Sequence, residues 1–294
     1  MPAHYRCAML SIRPGFGLDA VLGYLDFAIE GARKVEQDLG NIETYFAWVA
    51  ANLRTLGAAV TPSELDRLIT TPTYWAIQGW PSSRGGRVGL LGHEIAQRRT
   101  DLEAERKELA WIIDDNRRNR MKSVAVLDTN VVMEHHSDFA GLAWHSIVQV
   151  FPHDTVRVVI PILVIDELDK LKRSQGSVTK GGKTSPRRSV ARQALRSLSR
   201  MFQSPEMIIP IDRRDKDGFT EPATLELLMD PPGHVRLDNP DAEIRDRALS
   251  FGAYVASTTL VTYDLGNQFA AQLVGLNTHR LTDEEDEALK EGAS

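Results

Sequence analysis

The sequence predicts a three-layer α/β/α domain built on a central parallel sheet, preceded by a mainly α-helical domain. Two observations carry this. From Lys122 onward, short β-branched runs ("SVAVLD", "VRVVIP", "HVRLD", "AYVASTTLVTYD") alternate with helical patterns, and strands separated by helices pair in parallel through right-handed crossovers. Before Met121 the apolar residues instead recur at three- and four-residue steps, as Leu18, Val21, Leu22, Leu25, Ile29, Ala32 and Val35 do, which puts one apolar face on a helix. Residues 1–121 therefore read as a helical domain without an assigned role, 122–282 as the α/β domain and 283–294 as an acidic tail.

Further helices are expected from about Ile42 to Leu56 and from about Val88 to Arg118. Between them, "TPSELDRLI" carries a helix start. Thr61 stands as N-cap, Pro62 at the first helical position and Glu64 three residues after the cap, the pattern of a capping box. The Gly-, Pro- and Ser-rich "GWPSSRGGR" at Gly79–Arg87 interrupts the pattern and reads as a hinge or loop. This half clusters no His, Cys or carboxylate in a way that implies chemistry, and no repeat of solenoid period is present.

Composition bounds the function class. With 294 residues and 42% hydrophobic content there is material for a core in each of two domains. Cys7 is the single cysteine, which excludes an internal disulfide and a zinc site built on several thiolates. No stretch approaches the roughly 20 apolar residues of a membrane span, and "MPAHYRCAMLSIRPGFG" has no basic end followed by a long apolar run. A cytoplasmic protein without a membrane partner is expected. The net charge of -5 argues against a wholly basic nucleic-acid coat, yet charge is segregated. Lys170–Arg200 holds ten Lys or Arg and no acid, whereas Asp283–Glu291 holds six acids against Lys290.

In open parallel sheets, ligands sit at the carboxyl ends of the strands, and four acids fall there. Asp128 ends the first strand, Glu167 lies in the helix after "VRVVIP", Asp241 starts the helix of "NPDAEIRDRAL", and Asp264 ends "TLVTYD". Converging carboxylates repel and raise one another's pKa unless a cation neutralises them, and an all-oxygen set suits Mg2+ or Mn2+. Such a cation lowers the pKa of a bound water and neutralises charge on a phosphate, the chemistry of phosphodiester hydrolysis. Two of the acids also have a bland alternative, Asp128 as a turn cap and Asp241 as an N-cap. Asp246, five residues after Asp241, is a weaker addition because it turns partly off the same helix face.

The order of these motifs, "LDTNV" with Asp128, "PILVIDELDKL" with Glu167, "DAEIRDRA" with Asp241 and "LVTYD" with Asp264, makes residues 123–281 resemble a PIN domain, the nuclease fold of bacterial toxins and RNA-processing factors. The resemblance implies a Mg2+- or Mn2+-dependent endoribonuclease whose four acids hold the metal and position water, with single-stranded RNA as the expected substrate. It also implies that Asn130 and Thr262 orient a carboxylate or a bound water by hydrogen bonding. Tyr263 departs from the small polar residue usual before the last acid, and either stacks on a base or packs. The loop Lys172–Ser189 is longer and more basic than in a compact PIN toxin.

The basic stretch supplies candidate contacts to a phosphate backbone: Lys170, Lys172, Arg173, Lys180, Lys183, Arg187 and Arg188. Its middle, Ser174–Pro186, reads as a mobile Gly-, Ser-, Thr- and Lys-rich loop, and helical spacing begins at Arg187. "GGKTS" lacks the preceding strand and first glycine of a phosphate-binding loop, position 177 being Ser, so nucleoside triphosphate binding is rejected. Asp166 and Asp169 read as solvated or salt-bridging acids. His135 and His136 are expected at the surface, since adjacent side chains diverge too far to share one ion. Two other functions stay open: a catalytically silent RNA-binding scaffold, and a structure-specific DNA nuclease, whose group uses more acids than these four. The helical domain is expected to serve substrate placement, partner binding or assembly into a homo-oligomer; no inhibitor protein is identifiable.

Overall fold

The computed structural model describes residues 10–13, 15–79, 86–119, 123–173, 176–180, 183–214, 218–230 and 234–282. The acidic tail and most of the expected hinge at Gly79–Arg87 lie outside them. The chain divides into two compact units, Met9–Asn119 and the part from Arg120 onward. No helix among the described residues is long and apolar enough to cross a membrane.

The first unit contains α1 (Leu18–Gln37), α2 (Ile42–Arg54), α3 (Leu56–Ala59), α4 (Pro62–Leu68), α5 (Pro72–Gln78) and α6 (Arg87–Asn119). The periodic residues Val21, Leu25, Ile29, Ala32 and Val35 are buried, and α1 packs along α6. Arg99 with Glu36 at 2.9 Å and Arg106 with Asp26 at 2.7 Å tie the two helices together. The capping box does not form. Thr61 makes no side-chain cap; Glu64 instead accepts from the Ser11 N–H at 3.3 Å and pairs with Arg67 at 2.8 Å. A buried carboxylate gains more from a guanidinium than from a neutral N-cap amide.

The second unit contains β1 (Ser123–Leu127), α7 (Thr129–His135), α8 (Trp144–Val148), β2 (Val156–Pro161), α9 (Ile162–Leu171), β3 (Ser177–Lys180), β4 (Lys183–Pro186), α10 (Arg187–Met201), β5 (Ile208–Pro210), β6 (Arg213–Arg214), β7 (Thr220–Glu221), β8 (Ala223–Leu228), α11 (Pro240–Leu249), β9 (Ser257–Thr262), α12 (Leu265–Leu273) and β10 (Asn277–Arg280). Six strands form one sheet in the order β10-β9-β1-β2-β8-β5. All neighbours are parallel except β5, which runs antiparallel to β8 at the edge. Helices flank this sheet, giving the expected three-layer α/β/α domain. β1 is buried along its whole length, which is why it reads as a continuous apolar run rather than an alternation. The chain lays β2 and β8 on one side of β1, then returns to lay β9 and β10 on the other. The topological switch therefore lies between β1 and β9, where clefts open in sheets of this kind.

Three expectations change here. "HVRLD" forms no strand; the third parallel strand on that side is β8, "ATLELL". Its Glu226 is buried but pairs with Arg157 of β2 at 2.8 Å, a cross-strand neutralisation that makes an acid in a central strand tolerable. Of "AYVASTTLVTYD", only Ser257–Thr262 is strand. The expected loop Ser174–Pro186 contains the antiparallel pair β3–β4, while α10 begins at Arg187 as its spacing implies.

Candidate active site

The parallel register of β1 and β9 sets Leu127 opposite Val261, so the next residues, Asp128 and Thr262, meet at the carboxyl edge of the sheet. The Asp128 N–H donates to the Val261 carbonyl at 3.1 Å. Thr262 Oγ1 donates to Asp128 Oδ2 at 2.5 Å and accepts the Asp264 N–H at 3.0 Å. One hydroxyl thus ties the acid after β1 to the acid after β9. Asp264 also caps α12, its Oδ1 accepting the Asn267 N–H at 3.0 Å.

Asp128 is only 3% exposed. It stands at the N-cap position of α7 yet makes no side-chain cap; its carboxylate takes Thr262 and a longer contact from Asn267 Nδ2 at 3.5 Å. Burial raises the Asp128 carboxyl above its ordinary pKa, the charge of Asp241 raises it further, and the hydrogen bonds from Thr262, the Thr129 backbone and Asn267 oppose both. Asp241 is therefore within electrostatic reach of Asp128. It does not cap α11, because Asn239 does so by accepting the Ala242 N–H at 3.0 Å. Glu167, on α9, accepts from the hydroxyl of Thr129, the neighbour of Asp128. Among the described residues, no Lys or Arg pairs with any of these four acids.

The other expected residues are distributed differently. Asn130 is exposed and has no hydrogen-bond partner among the described residues. Asp246 sits in the field of Glu243 and His234, and burial raises its pKa. Of the basic residues, Lys172 pairs with Asp169; Lys170, Arg173 and Arg188 are exposed and Arg187 is half-buried. The side chains of Lys180 and Lys183 lie outside the described ones. Asp166 pairs with Arg236 at 2.5 Å.

His135 is not at the surface. It is buried, its Nε2 lies 2.8 Å from the Tyr263 hydroxyl, and the two rings are stacked at 5°. Tyr263 thus packs on His135 of α7, a helix that also contacts β9. Sequence reasoning also passed over Asn267 and Arg245. Arg245 Nη1 donates to Asn267 Oδ1 at 2.5 Å, which leaves the amide nitrogen for Asp128. The available signal was position: Asn267 falls three residues into a helix whose cap is itself a candidate acid.

A family model described as PIN domain matches residues 125–282 and spans all four acids. The chain belongs to the PIN-domain family. PIN domains are generally nucleases and typically use divalent metal ions. A solved domain of a functionally unknown protein from Methanocaldococcus jannaschii DSM 2661 aligns at 15% identity over 54% of this chain and 91% of that one, with a TM-score of 0.32. A search of curated proteins found no match.

The donor set of this PIN domain suits a hard divalent cation. Its deepest carboxylate, Asp128, is buried without a cationic partner among the described residues, and the offered ligands are all oxygens. Asp128, Glu167, Asp241 and Asp264 are the oxygen donors that would hold such an ion, although among the described residues no three of them bring ligand atoms within 4.8 Å of one another. A different group has its ligand atoms all within 4.8 Å of one another: Asp230, His234 and Glu243. Two arginines stand at that group. Arg236 Nε donates to Asp230 at 2.6 Å, and the buried Arg247 lies in the field of both Asp230 and Glu243. We read that group as an ion-paired clamp on the segment between β8 and α11.

Thr262 gives a direct test of the PIN site. Thr262→Val keeps the shape but leaves Asp128 without its best donor and the Asp264 N–H unpaired. Turnover is expected to fall about 10- to 100-fold and stability by about 1–3 kcal/mol, with Thr262→Ser near wild type. Steady-state cleavage and thermal melts check both; equal losses in the Val and Ser variants would mean that the hydroxyl does not orient Asp128.

Proposed function

We propose that this PIN protein is a metal-dependent endoribonuclease acting on single-stranded RNA. The observation that carries the reading is Asp128, a buried carboxylate at the switch point with another acid, Asp241, rather than a base, as its electrostatic neighbour. When bound, Mg2+ or Mn2+ supplies charge neutralisation at the scissile phosphate and acidifies a water. The chain's own residues hold the geometry. Thr262 fixes the Asp128 carboxylate, the α12 cap fixes Asp264, and Thr129 fixes Glu167. The exposed cations Lys170, Arg173 and Arg188 favour a polyanion near an edge whose acids would otherwise repel it. The first unit supplies substrate placement, partner binding or self-association.

The full chain with 5′-labelled single-stranded RNA, the same sequence as DNA, and a flapped DNA duplex separates the alternatives. Internal cuts in RNA with Mg2+ or Mn2+ and none in EDTA are expected. Cutting confined to the flap would replace RNA by structured DNA, and RNA binding without cutting under any metal would leave a silent scaffold.

A further inference from the structure

Four arginines of α10, Arg188, Arg192, Arg196 and Arg200, recur at four-residue intervals and are all exposed. The helix buries Ala191, Ala194 and Leu198 on its other side, packed on α9 and α7. At 100° per residue each four-residue step turns by about 40°, so the arginines form one slowly winding stripe opposite the buried face. No acid occurs between Lys170 and Arg200, and no ion pair or hydrogen bond involves the four guanidiniums among the described residues. This differs from α6, where Arg98 meets Glu94 at 3.2 Å and Arg99 meets Glu103 at 3.1 Å across the same spacing. Like charges at i,i+4 cost a helix stability, so α10 carries three unfavourable pairs that no ion pair among the described residues relieves. A local conflict of this sort marks a surface shaped by something other than folding.

From this stripe we infer a binding track for the phosphate backbone of a single nucleic-acid strand. Charge complementarity names the occupant, and spacing narrows it. Successive guanidiniums are set about 6 Å apart along the axis, comparable to the separation of successive phosphates on an extended strand. Arginine forks also match phosphate oxygens in pairs. The helices beneath the stripe are those that carry Glu167 and follow Asp128, so a strand on the track lies one helix away from the acids. Only that last step, delivery to a cutting site, rests on the nuclease reading; binding does not.

The test uses the full chain in EDTA, with a fluorescent 12-nucleotide single-stranded RNA, the matching DNA strand and the duplex, titrated over a range of salt. Arg→Gln at positions 192, 196 and 200 keeps helix propensity, and unchanged circular dichroism and melting certify the fold. Each lost phosphate contact lowers the slope of log K against log salt by about 0.7 for a single strand. The triple variant should therefore lose about two units of slope and on the order of tenfold or more in affinity, alike for RNA and DNA strands. In a separate assay with Mg2+ or Mn2+ in place of EDTA, cleavage of a dinucleotide, too short to reach the track, should be unchanged. An unaltered slope and affinity would overturn the track, as would a loss seen only with duplex. If neither protein cuts any substrate while binding falls as stated, the nuclease reading fails and the track stands.

Discussion

Asp128→Asn is expected to reduce metal-dependent cleavage at least about 100-fold, more than the loss of a residue that merely orients a ligand. The side chain keeps its volume and can still accept the Thr262 hydroxyl, which lies 2.5 Å from Oδ2. What it loses is a full negative charge at the most buried of the four acids. Asp169→Asn is the control, since Asp169 pairs with Lys172 away from the quartet. Retained Mg2+- or Mn2+-dependent cutting by Asp128→Asn would remove this residue from the site.

The same variant has a second readout. The Asp128 pKa is raised in the folded chain, so between its unfolded and folded values the folded state binds more protons than the unfolded one. Stability contributed by this group is complete below the ordinary carboxylate range and falls as pH rises toward the raised value. In EDTA at neutral pH, Asp128→Asn should therefore melt higher than wild type. Added Mn2+ should raise the melting temperature of wild type and not that of the variant. A metal-induced rise of equal size in both would show that the ion binds elsewhere.

Glu243→Ala should destabilise the second unit by about 3–5 kcal/mol. Glu243 is fully buried. Its Oε1 lies 2.6 Å from His234 Nε2 and its Oε2 accepts the Leu237 N–H at 2.9 Å, so it holds the segment between β8 and α11 against the helix. Removing it leaves the Leu237 N–H without its acceptor and leaves Arg247, whose pKa burial already lowers, with less opposing charge. Because Asp241 lies two residues away on the same helix turn, turnover should fall along with stability. His234→Ala, which removes one hydrogen bond and leaves the carboxylate facing Arg247, should cost less. Urea unfolding followed by hydrogen exchange in α11 reads the effect directly, and a Glu243→Ala protein as stable as wild type would rule out the clamp.

The limits of sequence reading are physical ones. Periodicity revealed α1 and α10 because each has one buried face and one wet one. The apolar runs of β1 and β2 revealed a parallel sheet because both faces of those strands are covered. β8 escaped notice because Glu226 breaks its apolar run, and its neutralising partner Arg157 lies 69 residues away. "HVRLD" looked like a strand because β-branched content was counted, whereas its His and backbone are spent on Glu243. His135 looked like a surface residue because nothing near it in sequence announces Tyr263.

By itself, the sequence determined the α/β class of the second half, the family resemblance, and the positions of Asp128, Asp241 and Asp264 at strand ends or helix starts, which are local events, whereas Glu167 lies within α9. Only the tertiary structure decided that Thr262 bonds Asp128 and that Arg245 aligns Asn267. Only it showed that Asp230, His234 and Glu243 come together and that the arginines of α10 make no ion pair among the described residues. Each of these depends on which distant side chains share a low-dielectric space, and chain order alone does not specify that.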